Sequence, residues 1–239
     1  MKATEFEFRH RSFLNLVQFW LAFQMYSFEH DDIVWSFVPW NTPTGAFRAR
    51  IIFSFATLLL LFAAVIRTWA AAYLSADVVH DPALHTDILV ADGPYRHVRN
   101  PLYLGTFMMS FGLGFLADRI GFVILVGLAA IRIARLIGRE ESELTKQQGS
   151  QFLDYCRLVP RFLPSLAARV PARGLAPRWG QAFVGELTMW GFFVMMIAFT
   201  ITLRDRVAYA LTGVTLLWWF ARNVAVSRRK KMKAANPPD

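Results

Sequence analysis

Asp92-Gly93-Pro94-Tyr95-Arg96-His97-Val98-Arg99-Asn100-Pro101-Leu102-Tyr103-Leu104-Gly105 is the stretch on which the reading of this chain turns. A Gly-Pro turn is followed by two arginines and two tyrosines at close spacing, and an Arg-Asn-Pro step then enters an apolar helix. So dense a polar run is costly in a greasy chain, because unpaired polar groups lose hydration when buried. It is tolerable at a membrane surface, where it can bind something.

Outward from that stretch the chain is strongly apolar. Of 239 residues, 55% are hydrophobic, with 22 Phe and 8 Trp and a mean hydropathy of +0.35. Charged residues make up 18%, against roughly 25% in soluble domains. The apolar residues come in long blocks, which reads as membrane spans. Cys156 is the only cysteine, so an internal disulfide or a thiolate metal cluster is excluded. A net charge of +9 would suggest nucleic acid for a soluble protein. Basic cytoplasmic loops and anionic headgroups account for it more simply here, so no nucleic-acid partner is expected.

Six blocks read as crossings: residues 12–28, 51–66 (extendable past Arg67 to Leu74), 103–117, 120–137, 181–202 and 207–226. Each lies at or near the roughly 20 residues that span the hydrocarbon. The third and fourth, joined by Asp118-Arg119, read as a short helical hairpin. Glu186 and Arg222 are the single charges of the last two blocks and are expected to pair across them. The expected fold is an all-α polytopic membrane protein of about six transmembrane helices. Seventeen Lys and Arg on the N-terminal side of block one, in residues 75–102, in residues 138–178 and in the tail face five on the opposite side. By that bias both termini are cytoplasmic. Ser27-Phe28-Glu29 is no cleavage site, so the first span reads as uncleaved. The chain divides into an N-terminal two-helix region (1–75), a core with signature loop, hairpin and cytoplasmic segment (76–165), and a surface loop, last hairpin and basic tail (166–239).

The fourth block runs on as I-R-I-A-R-L-I-G-R-E-E-S-E-L, residues 131–144. Arg132, Arg135 and Arg139 share one helical face, and Glu140 and Glu141 follow where the helix leaves the bilayer. Arginines at membrane depth need a partner or a wet cavity. Snorkelling to headgroups explains Arg132 and Arg135 equally well. The Glu pair reads as functional.

Together these segments resemble the integral-membrane methyltransferases that include isoprenylcysteine carboxyl methyltransferase and the phospholipid N-methyltransferases. The family pattern G-P-Y-x-x-V-R-H-P-x-Y-x-G runs from Gly93 to Gly105, with Asn100 where the family has His. Its E-E-x-x-L step corresponds to Glu140-Glu141-Ser142-Glu143-Leu144. Its G-x-x-[YF]-x-x-Y step corresponds to Gly149, Phe152 and Tyr155, and its V-P-[RF]-x-x-P step to Val159-Pro160-Arg161-Phe162-Leu163-Pro164. Order and spacing agree from Leu89 to Pro164. Asn keeps a donor and an acceptor but does not titrate, so an acid–base role at Asn100 is not carried over. His97 reads as a surface histidine at headgroup level.

The resemblance implies S-adenosylmethionine as methyl donor, and the residue types suit it. Glu140 or Glu141 can pair its amino group, and Arg96 or Arg99 can fork onto its carboxylate. Tyr95, Tyr103 and Tyr155 can stack on adenine or turn a ring face to the sulfonium. Backbone around Gly93-Pro94 and Val159-Pro160 can read the adenine edge, with Asn100 and Gly105 completing the signature. In-line methyl transfer needs positioning and exclusion of water but no metal. A carboxylate acceptor calls for an arginine such as Arg135, Arg139 or Arg161. An amine acceptor calls for a base such as Glu143 or Asp92. The acceptor is expected to be a lipid or prenylated molecule entering from the bilayer of a bacterial inner membrane or endomembrane. An isoprenylcysteine-like carboxyl group is narrowly ahead of a phospholipid amine. Phe107, Met108, Met109 and Phe111 suit a hydrocarbon tail or plain helix packing. No G-x-G-x-x-G follows a strand pattern, which excludes a Rossmann-type methyltransferase. An NADPH-dependent membrane lipid or sterol reductase and a non-catalytic protein of the same fold are the competing classes.

Overall fold

A computed structural model describes residues 2–38, 42–74 and 91–235, with side chains up to residue 227. Residues 75–90, which open the signature loop and include Leu89, lie outside the described residues, as do the side chains of the basic tail from Arg228.

Among the described residues all regular structure is helical. Helix α1 (Glu5–Arg9) opens on a capping box, in which Thr4 Oγ1 accepts from Glu7 N and Glu7 Oε2 accepts from Thr4 N. After α2 (Arg11–Gln24) and a connection, α3 (Pro43–Tyr73) starts with a Thr42 cap and Pro43 in its first turn. Helix α4 (Pro101–Gly114) likewise begins on a proline, whose missing N–H costs nothing there. Asp118 caps α5 (Arg119–Gln148), and α6 (Ser150–Leu158) follows Gly149. The chain closes with α7 (Trp179–Gly185), α8 (Leu187–Thr202) and α9 (Asp205–Ala235).

Helices α3 and α5, with 31 and 30 residues, are long and apolar enough to cross a membrane. At 1.5 Å per residue each is about 45 Å long, beyond the ~30 Å hydrocarbon core. The surplus puts the C-terminal turns of α5, with Glu140 and Glu141, outside it. Helices α7 and α8 are bent by 60° at Glu186 and add a third crossing if they form one span. Among the described residues, length and composition therefore support two or three crossings, where the sequence reading expects six. Helices α2 and α4 have 14 residues each, only about 21 Å, and α9 carries Arg222 and Asn223 in its apolar stretch.

Helix α3 is the central element, packed against α4, α7 and α8, while α5 packs between α4 and α2 and α9 lies on α8. Phe53 and Leu60 of α3 are buried with Leu113 of α4, Leu125 of α5 and Met195, Met196 and Phe199 of α8. Phe53 meets Phe199 edge-to-face at 4.9 Å, a favoured aromatic arrangement. Phe55, Phe62, Leu217 and Phe220 are exposed, giving α3 and α9 an outer face suited to hydrocarbon.

One charge pairing differs from expectation. Glu186 does not pair across the last two blocks. Its carboxylate is forked by Arg67, with Nε to Oε2 at 2.7 Å and Nη2 to Oε1 at 2.9 Å. Arg67 Nη1 also donates to Leu102 O at 3.1 Å and to Thr106 Oγ1 at 2.7 Å. Arg222 instead donates to Gly185 O at 2.9 Å. The reason is packing: α3 touches α4, α7 and α8 together, and the helix break at Glu186 turns its carboxylate toward α3. Gly105 permits this closeness, since a Cβ there would collide with the Arg67 side chain.

Candidate functional site

The signature segment is pinned along residues 159–175. Asp92 is buried, and its carboxylate accepts from Arg173 N at 2.7 Å and Leu175 N at 3.1 Å. Gly93 takes φ +57°, and a Cβ there would strike the Tyr73 ring, so only glycine turns the chain here. Arg96 Nε donates to Val170 O at 2.9 Å, and His97 Nδ1 donates to Ser165 O at 2.9 Å. Arg99 N donates to Pro160 O at 2.9 Å, and the Tyr155 hydroxyl donates to Tyr95 O at 2.7 Å. Asp92 is thus engaged as a clamp on two backbone amides, which is not the position of a base. His97 is half-buried between Ser165 and Trp69, its ring 5.9 Å from the indole, and is no surface histidine.

Gly149, at φ +54°, ends α5 and turns the chain so that α6 folds back toward the signature segment. Phe152, Tyr155 and Val159 are buried there with Ala91. Burial pushes the Tyr155 phenol and the Cys156 thiol above their ordinary pKa ranges, with Arg99 opposing both shifts. Burial also raises Tyr95. All three are neutral near pH 7, so the charge of this region resides in its arginines and glutamates.

Those converge on Glu141. Arg99 Nη1 lies 3.2 Å from Glu141 Oε1, and Arg161 Nη2 lies 2.9 Å from Oε2. Asn100 Nδ2 donates to Glu141 Oε1 at 3.2 Å and to Arg161 O at 3.0 Å. Asn100 therefore acts here through its amide donor, as the sequence reading allows. One turn away, the Tyr103 hydroxyl donates to Glu140 Oε1 at 2.6 Å. Arg99 Nη1 also reaches Cys156 Sγ at 2.6 Å, while Arg99 Nε is buried with no hydrogen-bond partner. Pro160 joins this cluster through the Arg99 amide, Tyr95 and Val159 meet Tyr155, Gly93 and Pro94 turn the chain against Tyr73, and Gly105 lies a turn and more into α4, against Arg67.

The arginine face of α5 looks elsewhere, toward the N-terminal segment. Arg132 donates to Gln18 Oε1 at 2.6 Å and to Arg11 O at 3.0 Å. Arg135 forks Glu7 at 3.0 and 2.8 Å. Arg139 donates to Ala3 O at 3.3 Å and lies over the Phe8 ring. Of the expected acceptor residues, only Arg161 reaches the Glu141 cluster. Glu143 is paired with Lys146 at 2.8 Å on the surface. Sequence reasoning missed Glu7, Phe8 and Cys156. The Thr4-Glu5-Phe6-Glu7 capping-box pattern marks a helix start, and three arginines on one face call for an acidic partner, so Glu7 left a signal. Among the described residues no group of three or more His, Cys, Asp or Glu side chains could hold a metal ion.

Residues 51–151 match the model of the phospholipid methyltransferase family, a stretch running from α3 through α4 and α5 into α6. Among curated proteins, the nickel-cobalt-cadmium resistance protein NccN of Alcaligenes xylosoxydans xylosoxydans is 32% identical over 105 residues, 44% of this chain and 46% of the relative. The cobalt-zinc-cadmium resistance protein CzcN of Cupriavidus metallidurans is 26% identical over 123 residues, 52% of this chain and 54% of the relative. The chain thus spans about half the length of the curated relatives it matches. No solved structure matches. The match over residues 51–151 to the phospholipid methyltransferase family is consistent with the integral-membrane methyltransferases that the signature loop resembles.

Proposed function

We propose that this chain is an S-adenosylmethionine-dependent methyltransferase of a membrane-embedded acceptor. The carrying observation is the convergence of Arg99, Asn100 and Arg161 on Glu141, beside the Tyr103–Glu140 pair. Most of that cluster lies inside the family-matched segment.

The residues fit the donor. Arg99 Nε, a buried donor without a partner, is available to a carboxylate, and Glu140 or Glu141 to an ammonium. Tyr95, Tyr103 and Tyr155 supply ring faces, and Gly93-Pro94 and Val159-Pro160 supply backbone beside them. Bound there, S-adenosylmethionine would supply an electrophilic methyl group on a positively charged sulfur. The work of the protein is then to orient the acceptor in line and keep water out. In this reading the chain crosses the bilayer six times with both termini cytoplasmic. Its N-terminal region (1–75), core (76–165) and C-terminal region (166–239) act as one unit around the site.

The acceptor is a lipid or prenylated molecule, with an isoprenylcysteine-like carboxyl group favoured over a phospholipid amine. Arg139 is better placed to meet it than Arg135 and Glu143, whose charges are paired, and Arg161 is half exposed beside Glu141, with which it pairs. Calorimetric titration of the detergent-purified protein with S-adenosylmethionine, S-adenosylhomocysteine and NADPH tests the reading. Saturable binding of the first two alone is expected. Binding of NADPH instead would replace this reading with the reductase class.

A further inference from the structure

A cavity of about 380 Å³ opens to the outside between α3, α7 and α8. Its walls are Val65, Thr68 and Trp69 of α3, Trp179 and Phe183 of α7, and Trp190 of α8. Val65, Trp179 and Phe183 are exposed at its mouth. The walls are held in place from behind. Trp190 Nε1 donates to Thr68 Oγ1 at 3.0 Å, and that hydroxyl donates to Ala64 O at 2.7 Å. Phe183 stacks on Trp190 with ring centroids 5.1 Å apart, and Trp69 lies 5.9 Å from the His97 ring. The Thr68 hydroxyl is thereby spent within the protein, and the accessible lining is almost wholly apolar. Such a groove accepts hydrocarbon and offers little to a polar ligand.

One end of the groove is basic. Arg178 precedes Trp179, and its backbone N–H donates to Ala72 O at 2.7 Å, about one turn of α3 beyond Trp69. The Arg178 side chain is exposed, and so are Arg169 and Arg173 earlier in the same loop. Residues 165–185 contain no Asp or Glu. Asp92 and Glu186, the carboxylates bordering this region among the described residues, are both buried and engaged. Asp92 accepts from the amides of Arg173 and Leu175, and Glu186 is forked by Arg67. The exposed charge beside the groove is therefore positive. Val65 and Ala72 lie about 10 Å apart along α3, so one lipid molecule reaches both the apolar walls and the basic rim. Tryptophans clustered beside arginine at the end of a membrane-length helix suit the boundary between hydrocarbon and headgroups.

We infer that this groove is a binding site for an anionic phospholipid, with an acyl chain against Trp69, Trp179 and Trp190 and the phosphate at Arg178. Apolar walls select a chain, and the basic rim selects the charge of its headgroup. None of the walls belongs to the Glu141 cluster, so the inference stands without the proposed function.

Native mass spectrometry of the full chain in an uncharged detergent tests it, with dioleoyl phosphatidylglycerol and dioleoyl phosphatidylcholine titrated separately. One phosphatidylglycerol is expected to be retained, with about fivefold preference over phosphatidylcholine, the scale of one basic side chain at an anionic headgroup. Arg178→Gln should remove that preference by weakening phosphatidylglycerol alone. Val65→Phe, at a position that faces outward, fills the groove and should weaken both lipids about tenfold. Equal retention of the two lipids by the wild type overturns the inference, as does phosphatidylglycerol binding that neither substitution changes. Lipid-free dimers that dissociate on Val65→Phe would give the groove to a second copy of the chain and overturn it too. Arg178→Gln keeps the test decisive should Val65→Phe not fold.

Discussion

Two clusters in this molecule contain the same chemistry, arginine on glutamate, and are built differently. At Arg67–Glu186 both carboxylate oxygens are forked, the remaining arginine nitrogen has two further acceptors, and Glu186 is 2% exposed. At Glu141 three donors from two segments converge at 2.9–3.2 Å, Arg161 is half exposed, and Arg99 keeps an unpartnered Nε. The first cluster is closed and leaves nothing for a ligand. The second is open, with charge in excess of its internal partners. A buried ion pair that is fully satisfied fixes how helices meet, whereas an incompletely satisfied one marks a place where something else completes it.

The largest expected effect breaks the closed cluster. Glu186→Ala leaves Arg67 buried and unpaired and should cost about 3–5 kcal/mol in denaturant unfolding. Arg67→Met combined with Glu186→Leu should recover most of it, since both charges then leave together. If Glu186→Ala were as stable as wild type, the contrast drawn here would be lost. Glu141→Ala should shift the balance: S-adenosylmethionine binding weakens by about 1–3 kcal/mol, while stability falls by less than in Glu186→Ala, because half-exposed Arg161 regains water. Wild-type affinity in that folded variant would remove Glu141 from the donor site.

A smaller effect concerns the N-terminal segment. Arg135 and the Thr4 backbone hold the Glu7 carboxyl at about 2, below its ordinary value of 4.5. A depressed carboxyl stabilises the folded state above its unfolded pKa and loses that contribution as pH falls through the folded one. The stability gap between wild type and Glu7→Gln should therefore be full above pH 4.5 and close on acidification toward pH 2. A gap constant over that range would mean that the fork contributes nothing. Asn100→His should leave folding and S-adenosylmethionine affinity within about 0.5 kcal/mol, because it restores the family residue beside Glu141. A misfolded variant would show that the 9% exposed site has no room for an imidazole. Smallest of all, Glu143→Ala breaks only the exposed pair with Lys146 and should change stability by less than about 0.5 kcal/mol.

Much of the site was legible before any coordinates. The Gly93-Pro94 turn, the Pro101 helix start, and the Glu140-Glu141 step at the emerging end of α5 are all local patterns, and the last two meet through Asn100–Glu141 and Tyr103–Glu140. Less legible were the partners. The sequence offered Arg222 as the partner of Glu186, and only the crossing of α3 against α7 and α8 brought Arg67 to it instead. Arg135 and Glu7 are 128 positions apart, and Asp92 reaches the amides of Arg173 and Leu175 across more than 80.

By itself, then, the amino-acid order determined that the chain is helical and apolar, where α3 and α5 run, and which polar groups gather at the family signature. Hydropathy and capping are sums over neighbouring residues, so they can be read along the chain. Only the tertiary structure decided that α7 and α8 bend at Glu186, that the arginine face of α5 is covered by residues 2–11, and which carboxylate each arginine meets. Those outcomes depend on how helices cross and rotate against one another, and a buried charge takes whatever partner that geometry brings within 3 Å or so.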